Sequence, residues 1–255
     1  MAVVGPDEVV LINGGLHERS ADVLKLVASH TGNKPIRTLI DIDWRPEYTG
    51  SNETLAKTGA KIIAHENTKQ YIGAEHYVDW QKRTYRPLPA NALPNQTFYT
   101  NGSLTVGAER LEYAHLGQAH TDGAIYVFFP ASNVLMTGGA LSVGRYPIPD
   151  YTAGGWLGGL IAANKTLLGM AKPDTRLIPG EGPVQTRDQL QAQHDMLAAT
   201  FDRFVKMMKQ GLGPDEILAA EPTKEFDATW GSPAVFVPTA YRSMWLHVRE
   251  LGGIV

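Results

Sequence analysis

Thr38-Leu-Ile-Asp-Ile-Asp-Trp-Arg-Pro-Glu-Tyr-Thr-Gly-Ser-Asn52 opens as an apolar strand, breaks at Pro46 and restarts at Gly50-Ser51-Asn52. A strand that ends in such a break aims the side chains of its carboxyl end into a cleft. Those side chains are Asp43, Arg45, Glu47 and Tyr48. The stretch therefore predicts both a strand position in the fold and a polar cluster at its end.

Outward from this stretch the first half alternates between strand and helix. Val9-Val-Leu-Ile12 is a short apolar run stopped by Asn13-Gly-Gly15, the pattern of a buried strand running into a turn. Ser20 is placed to cap a helix over 21–30, whose apolar stripe is Val23, Leu24, Leu26 and Val27, with Gly32 past its end. The strand of the opening stretch covers 36–42. A short helix over 52–57 leads through Gly59 to another strand, 60–64, ending at His65.

The second half begins rich in strands. Asn101-Gly102 between 97–100 and 103–106 predicts a hairpin turn, because this dipeptide tolerates the positive φ of two-residue loops. Strands over 110–116, 125–129 and 134–136 follow, and 85–96, with its three prolines, reads as an irregular loop. Apolar residues at three- and four-residue spacing predict helices over 155–168, 186–210, 214–220 and 239–250.

With this order in place the chain resembles the metallo-β-lactamase superfamily. The opening stretch is similar to its T-H-x-H-x-[DE]-H-x-G loop, with Asp43, Arg45 and Tyr48 at the three histidine positions and Glu47 at the acidic one. Val10-Leu-Ile-Asn-Gly-Gly15 resembles the family's L-I-D-x-G turn, with Asn13 for the acid. Ala119-His-Thr-Asp-Gly-Ala124 resembles H-T-x-G-D and keeps His120. Gly139 stands where a metal-bridging Asp would, and Ile178-Pro-Gly-Glu-Gly-Pro183 matches I-P-G-H-G-P with Glu181 at the last histidine position. Phe226 to Gly231 and Tyr241 to Met244 look like the tail of these hydrolases. The resemblance implies an α/β fold, a four-layer αββα sandwich, in one domain spanning 1–255. Only eight residues precede the Val9 strand, so the family's first strand is expected to be missing.

The resemblance also implies a zinc centre, and ligand chemistry argues against it. Zinc sites of this family need several neutral imidazoles and a bridging carboxylate, and His120 alone keeps its family residue among the ligand positions. Arg45 is a permanent cation that repels a dication and cannot be deprotonated. A rewired site is a second reading: Asp43, Glu47, His120 and Glu181, together with Asp41, form an oxygen-rich set suited to manganese, magnesium or calcium. The plain alternative for these acids is an ion-pair network in which Asp43 or Glu181 meets Arg45.

A chain of 255 residues, 43% hydrophobic, can bury one large core. Net charge of −3 without a Lys/Arg run gives no footprint for nucleic acid or an anionic membrane. The absence of cysteine removes disulfides and thiolate ligands. No signal segment or spanning helix is written in the sequence, so a cytoplasmic protein is expected, or a periplasmic or secreted one if an upstream signal has been removed. The partner expected is a small molecule, and nothing indicates an oligomeric state.

Two classes of function fit. One is a metal-independent enzyme acting on small carbonyl compounds, esters or lactones. In it His120 or one of Asp43, Glu47 and Glu181 is the general base, Arg45 stabilises an anion and Tyr48 is the acid. The other is a non-catalytic relative that binds a small acidic ligand through Arg45. Trp44, Tyr146 and His17 are candidates to line the ligand's pocket, against the plainer reading of packing or capping. Gly154-Gly155 and Gly158-Gly159 read as sites of close helix packing.

Overall fold

Val9, Val10, Leu11 and Ile12 are all buried, as expected of a strand with neighbours on both sides. The protein is described here from a computed structural model covering residues 1–252, and it divides into two compact units. The first comprises Met1–His115 and Ile125–Asn133, the second Leu116–Ala124 and the chain from Val134 onward.

In the first unit β1 (Ala2–Val4), β2 (Val9–Ile12), β3 (Ile36–Ile40), β4 (Lys61–His65) and β7 (Gln96–Phe98) form a sheet in the order β1-β2-β3-β4-β7. β1 runs antiparallel to β2, while β2, β3, β4 and β7 are mutually parallel. The expectation of a missing first strand is thus corrected. The turn from Gly5 to Glu8 lets three residues pair with β2, and the Met1 ammonium donates to the Ile12 carbonyl at 2.8 Å.

The crossovers carry α1 (Ser20–Thr31), α2 (Pro46–Thr49), α3 (Asn52–Ala56) and α4 (Glu66–Ile72). Leu24 and Val27 of α1 and Leu55 of α3 pack against Leu11, Leu39 and Ile62 of the sheet, which is why these helices carry an apolar stripe. Gly32 closes α1 in the left-handed conformation. Ser20 is the first residue of α1 rather than its cap, because its hydroxyl is drawn to Ser51 at 2.9 Å. The proline-rich loop begins with a small hairpin of β5 (His76–Val78) and β6 (Arg83–Tyr85).

The predicted hairpin at Asn101-Gly102 does not form. Residues 96–98 pair with β4 instead, and Asn101 opens β8 (Asn101–Val106). β8 turns through Gly107-Ala108 into β9 (Glu109–His115), which pairs with β10 (Ile125–Phe129). Gly107, with φ of 59°, supplies the left-handed turn. Gly102 serves packing: a Cβ there would stand 2.5 Å from ring atoms of Tyr113 on the paired strand.

In the second unit β11 (Val134–Gly138) and β12 (Arg176–Pro179) are parallel. They accompany α5 (Leu157–Met170), α6 (Arg187–Lys209), α7 (Pro214–Ala219), α8 (Asp227–Trp230) and α9 (Phe236–Leu246). Thr186 and Gln189 form a capping box that fixes the start of α6. α5 packs on α6, with buried Asn164 and Gln193 bonded across the contact at 2.8 Å. Among the described residues no helix is long and apolar enough to cross a membrane.

Candidate functional site

The end of β3 is held by a residue outside its own strand. Asn13, at φ of 62°, donates its N–H to the Ile40 carbonyl at 2.9 Å, and its side-chain oxygen accepts from the Ile42 N–H at 3.1 Å. Asn tolerates this left-handed backbone better than most residues. Gly14 donates its N–H to the Tyr48 carbonyl, and Gly50 leaves no room for a Cβ against the backbone of His17. Pro46 starts α2 rather than ending structure, since its fixed φ suits the first helical position.

This frame brings Asp43, Arg45 and Tyr48 together. The Arg45 backbone N–H donates to Asp43 Oδ1 at 2.8 Å, and its Nε approaches the same oxygen at 3.4 Å. Its Nη2 donates to the Tyr48 hydroxyl, and its guanidinium carbon lies 4.6 Å from the centre of the Tyr48 ring. Asp43 and Tyr48 are buried, whereas the Arg45 side chain keeps 28% of its surface and Glu47 is exposed. Burial opposes the charge on Arg45, but Tyr48, Asp43 and Glu47 outweigh it and raise the pKa further. Burial pushes the Asp43 carboxyl up, and Arg45 pulls against that shift.

Asp41 is equally buried. Its Oδ2 accepts from Asn52 Nδ2 at 2.8 Å, and the same nitrogen also reaches the Ala92 carbonyl at 3.1 Å. Burial, opposed by Asn52 and reinforced by Asp43, pushes its pKa up to about 8. Trp44 packs among Tyr71, His76 and Tyr85 with ring centres 4.9–5.1 Å away. His17 sits exposed in a 3-10 turn.

In the second unit His120 is buried in a tightly clamped turn. The Asp150 N–H donates to the His120 carbonyl at 2.8 Å, Trp156 N–H to Ala119 at 3.1 Å and Asp122 N–H to Ala153 at 2.8 Å. A Cβ on Gly155 would overlap the His120 carbonyl, and one on Gly159 the Gln118 carbonyl. These glycines serve that turn rather than contact between helices. Beyond β11, where Gly139 stands, the Ala140 carbonyl accepts from both Asn164 and Gln193 at 2.8 Å. Asp150, Asn164 and Gln193 escaped the sequence reading. Their only signal was polarity at buried helical and loop positions.

Glu181 is exposed and paired with Arg145 of its own unit. Tyr146 is buried. Its hydroxyl donates to Asp227 Oδ1 at 2.7 Å and its ring stacks on Phe236 at 4.7 Å. Burial and this bond to Asp227 raise its pKa.

The family model described as the metallo-beta-lactamase superfamily matches residues 48–207. The chain belongs to the metallo-beta-lactamase superfamily. Solved structures agree on the fold. A metallo-beta-lactamase from Pontibacter korlensis superposes with a TM-score of 0.63 at 20% identity, over 77% of this chain and 85% of that one. Metallo-beta-lactamase IND-7 gives 0.62 at 17% identity, over 78% and 84%. DIM-1 metallo-beta-lactamase gives 0.60 at 15%, over 77% and 85%.

Superfamily membership raises the question of zinc, and the donor atoms answer it poorly. The guanidinium of Arg45 has no lone pair to offer. Tyr48 accepts from Arg45, an Asp43 oxygen accepts from it twice, and Glu181 is engaged by Arg145. Among the described residues no three of His, Cys, Asp and Glu are grouped to hold a metal ion. The residues at the ligand positions of this metallo-beta-lactamase relative do not fit the group.

Proposed function

We propose that this protein is a metal-independent acid–base enzyme of lyase or isomerase type, acting on a small carbonyl compound that develops negative charge. The observation that carries the reading is Arg45, fixed between Asp43 and Tyr48 yet partly open to solvent. A cation held in place before reaction stabilises an oxyanion without reorganising, the largest single source of catalysis in many enzymes. Asp43 and Tyr48, both buried, position Arg45. Glu47, exposed and within the field of Arg45, is the base.

The step follows. Glu47 takes a proton from the carbon beside the carbonyl, the C–H electron pair moves onto the carbonyl oxygen, and Arg45 meets the resulting enolate. Return of the proton to another carbon isomerises the substrate, and loss of a β-substituent completes an elimination. Neither outcome needs a metal-bound hydroxide.

Incubating chelator-treated protein with small oxo acids and lactones in D2O, and following α-proton exchange by NMR, tests the reading. Exchange unaffected by chelator is expected, about 100-fold slower in Arg45→Ala and lost in Glu47→Gln. Turnover that vanishes with chelator and returns with zinc overturns it. The second reading, a binder of small anions, is favoured by the complete burial of Asp43, the carboxylate nearest Arg45. Thermal stabilisation by small carboxylates without any exchange would select it.

A further inference from the structure

His65 ends β4 and caps α4, and both of its ring nitrogens are committed. Nδ1 accepts from the Asn67 N–H at 3.2 Å, and Nε2 lies 3.0 Å from the Tyr99 carbonyl. Only the neutral ring protonated on Nε2 satisfies both, since a second proton would turn the capping acceptor into a donor. The His115 ring stacks on it at 3.9 Å with 17° between planes, and Phe98 meets the His65 ring edge-on at 5.8 Å. The His115 N–H donates to Thr100 at 2.9 Å, so the two histidines together hold residues 98–100, where the chain passes from β7 to β8.

We infer that the stacked His65–His115 pair is an acid-operated latch, closed while the His65 ring is neutral, that opens the first turn of α4 when His65 takes up a proton. The charged and titratable groups around it are few. His115 of β9 lowers the affinity of His65 for a proton, while the Tyr99 carbonyl beyond β7 and Glu66 of α4 raise it. Lys69 of α4 acts on Glu66, which also bonds to Thr97. Burial is the largest influence and, with His115, holds His65 below the usual imidazole range.

The consequence reaches the Arg45 loop through α4. Tyr71 of α4 rests on Trp44 with ring centres 4.9 Å apart, and Trp44 lies between Asp43 and Arg45 in the chain. Loosening α4 withdraws one of the three rings that hold Trp44, beside His76 and Tyr85. The sign is fixed: an unfolded histidine charges near pH 6.5, the latched one at lower pH. The contribution of the pair is therefore complete above that range and lost as pH falls.

Nitrogen-15 NMR of the histidine rings, with hydrogen exchange at the Asn67 amide from pH 7.5 to 4.5, tests the latch on the whole chain. Expected are a neutral His65 ring protonated on Nε2 at pH 7, and protection of Asn67 falling about tenfold per pH unit once His65 titrates. His65→Asn keeps a capping oxygen and cannot charge, so its protection should no longer depend on pH. In His115→Gln the latched ring binds its proton more readily, so the loss should be smaller and should level off at higher pH. If the Asn67 amide is equally protected throughout in the wild type, or if His65→Asn shows the wild-type acid profile, the latch is refuted. Should His65→Asn fail to fold, the wild-type ring signals and His115→Gln decide.

Discussion

The Nη2 of Arg45 donates to the hydroxyl of Tyr48, three residues further along the same loop. Asp43 completes the arrangement, accepting from the Arg45 backbone at 2.8 Å. Replacing Arg45 by Ala removes the cation that Asp43 meets and leaves the like charge of Glu47 beside it. We expect Arg45→Ala to lose on the order of 2–4 kcal/mol in urea unfolding at pH 7. Asp43→Ala combined with Arg45→Met should recover most of that loss, and equal destabilisation of single and double variants would show that the pair is not coupled.

Asp41 gives a pH prediction of definite sign. The unfolded chain releases this proton near pH 4, the folded chain near pH 8. The folded state thus holds a proton that the unfolded state has lost, and stability declines between these values by at most about 1.4 kcal/mol per pH unit. Asp41→Asn removes the titration and offers a donor to the Asn52 Oδ1, which has no hydrogen-bond partner among the described residues. Unfolding curves at pH 5.5 and 8.5 should show the variant gaining on the wild type at the higher pH. A constant difference would mean that the folded Asp41 pKa lies below the window and is not raised.

Glycines of α5 separate close approach from conformational freedom. Gly159→Ala should cost about 2 kcal/mol or more, because its Cβ would overlap the Gln118 carbonyl in the turn that carries His120. Gly169, exposed on the same helix with nothing within 4 Å, should gain about 0.5–1 kcal/mol on becoming Ala. Thermal unfolding of the two variants should move in opposite directions.

Much of this was written locally in the chain. The buried run of β2, the Gly32 stop of α1 and the Thr186 cap of α6 follow from neighbours a few residues apart, so their patterns survive without tertiary knowledge. Asn101-Gly102 misled because a glycine required by a ring on the paired strand looks the same as one required by a turn. Pro46 misled in another way, since proline both ends strands and starts helices. At the site, motif order placed Asp43, Arg45 and Tyr48 together, and their contacts bear out an ion pair there. Which acid meets which cation was not legible. The pairing of Glu181 with Arg145 and of Tyr146 with Asp227 depends on residues 36 and 81 positions apart.

We propose that Arg45 stands in place of a zinc centre. Plasma mass spectrometry of protein purified without chelator or metal column, paired with thermal melts in added zinc, tests it most directly. The account predicts far less than one zinc per chain and a melting temperature unmoved by the metal. Near-stoichiometric zinc, with stabilisation that grows with its concentration, would contradict it.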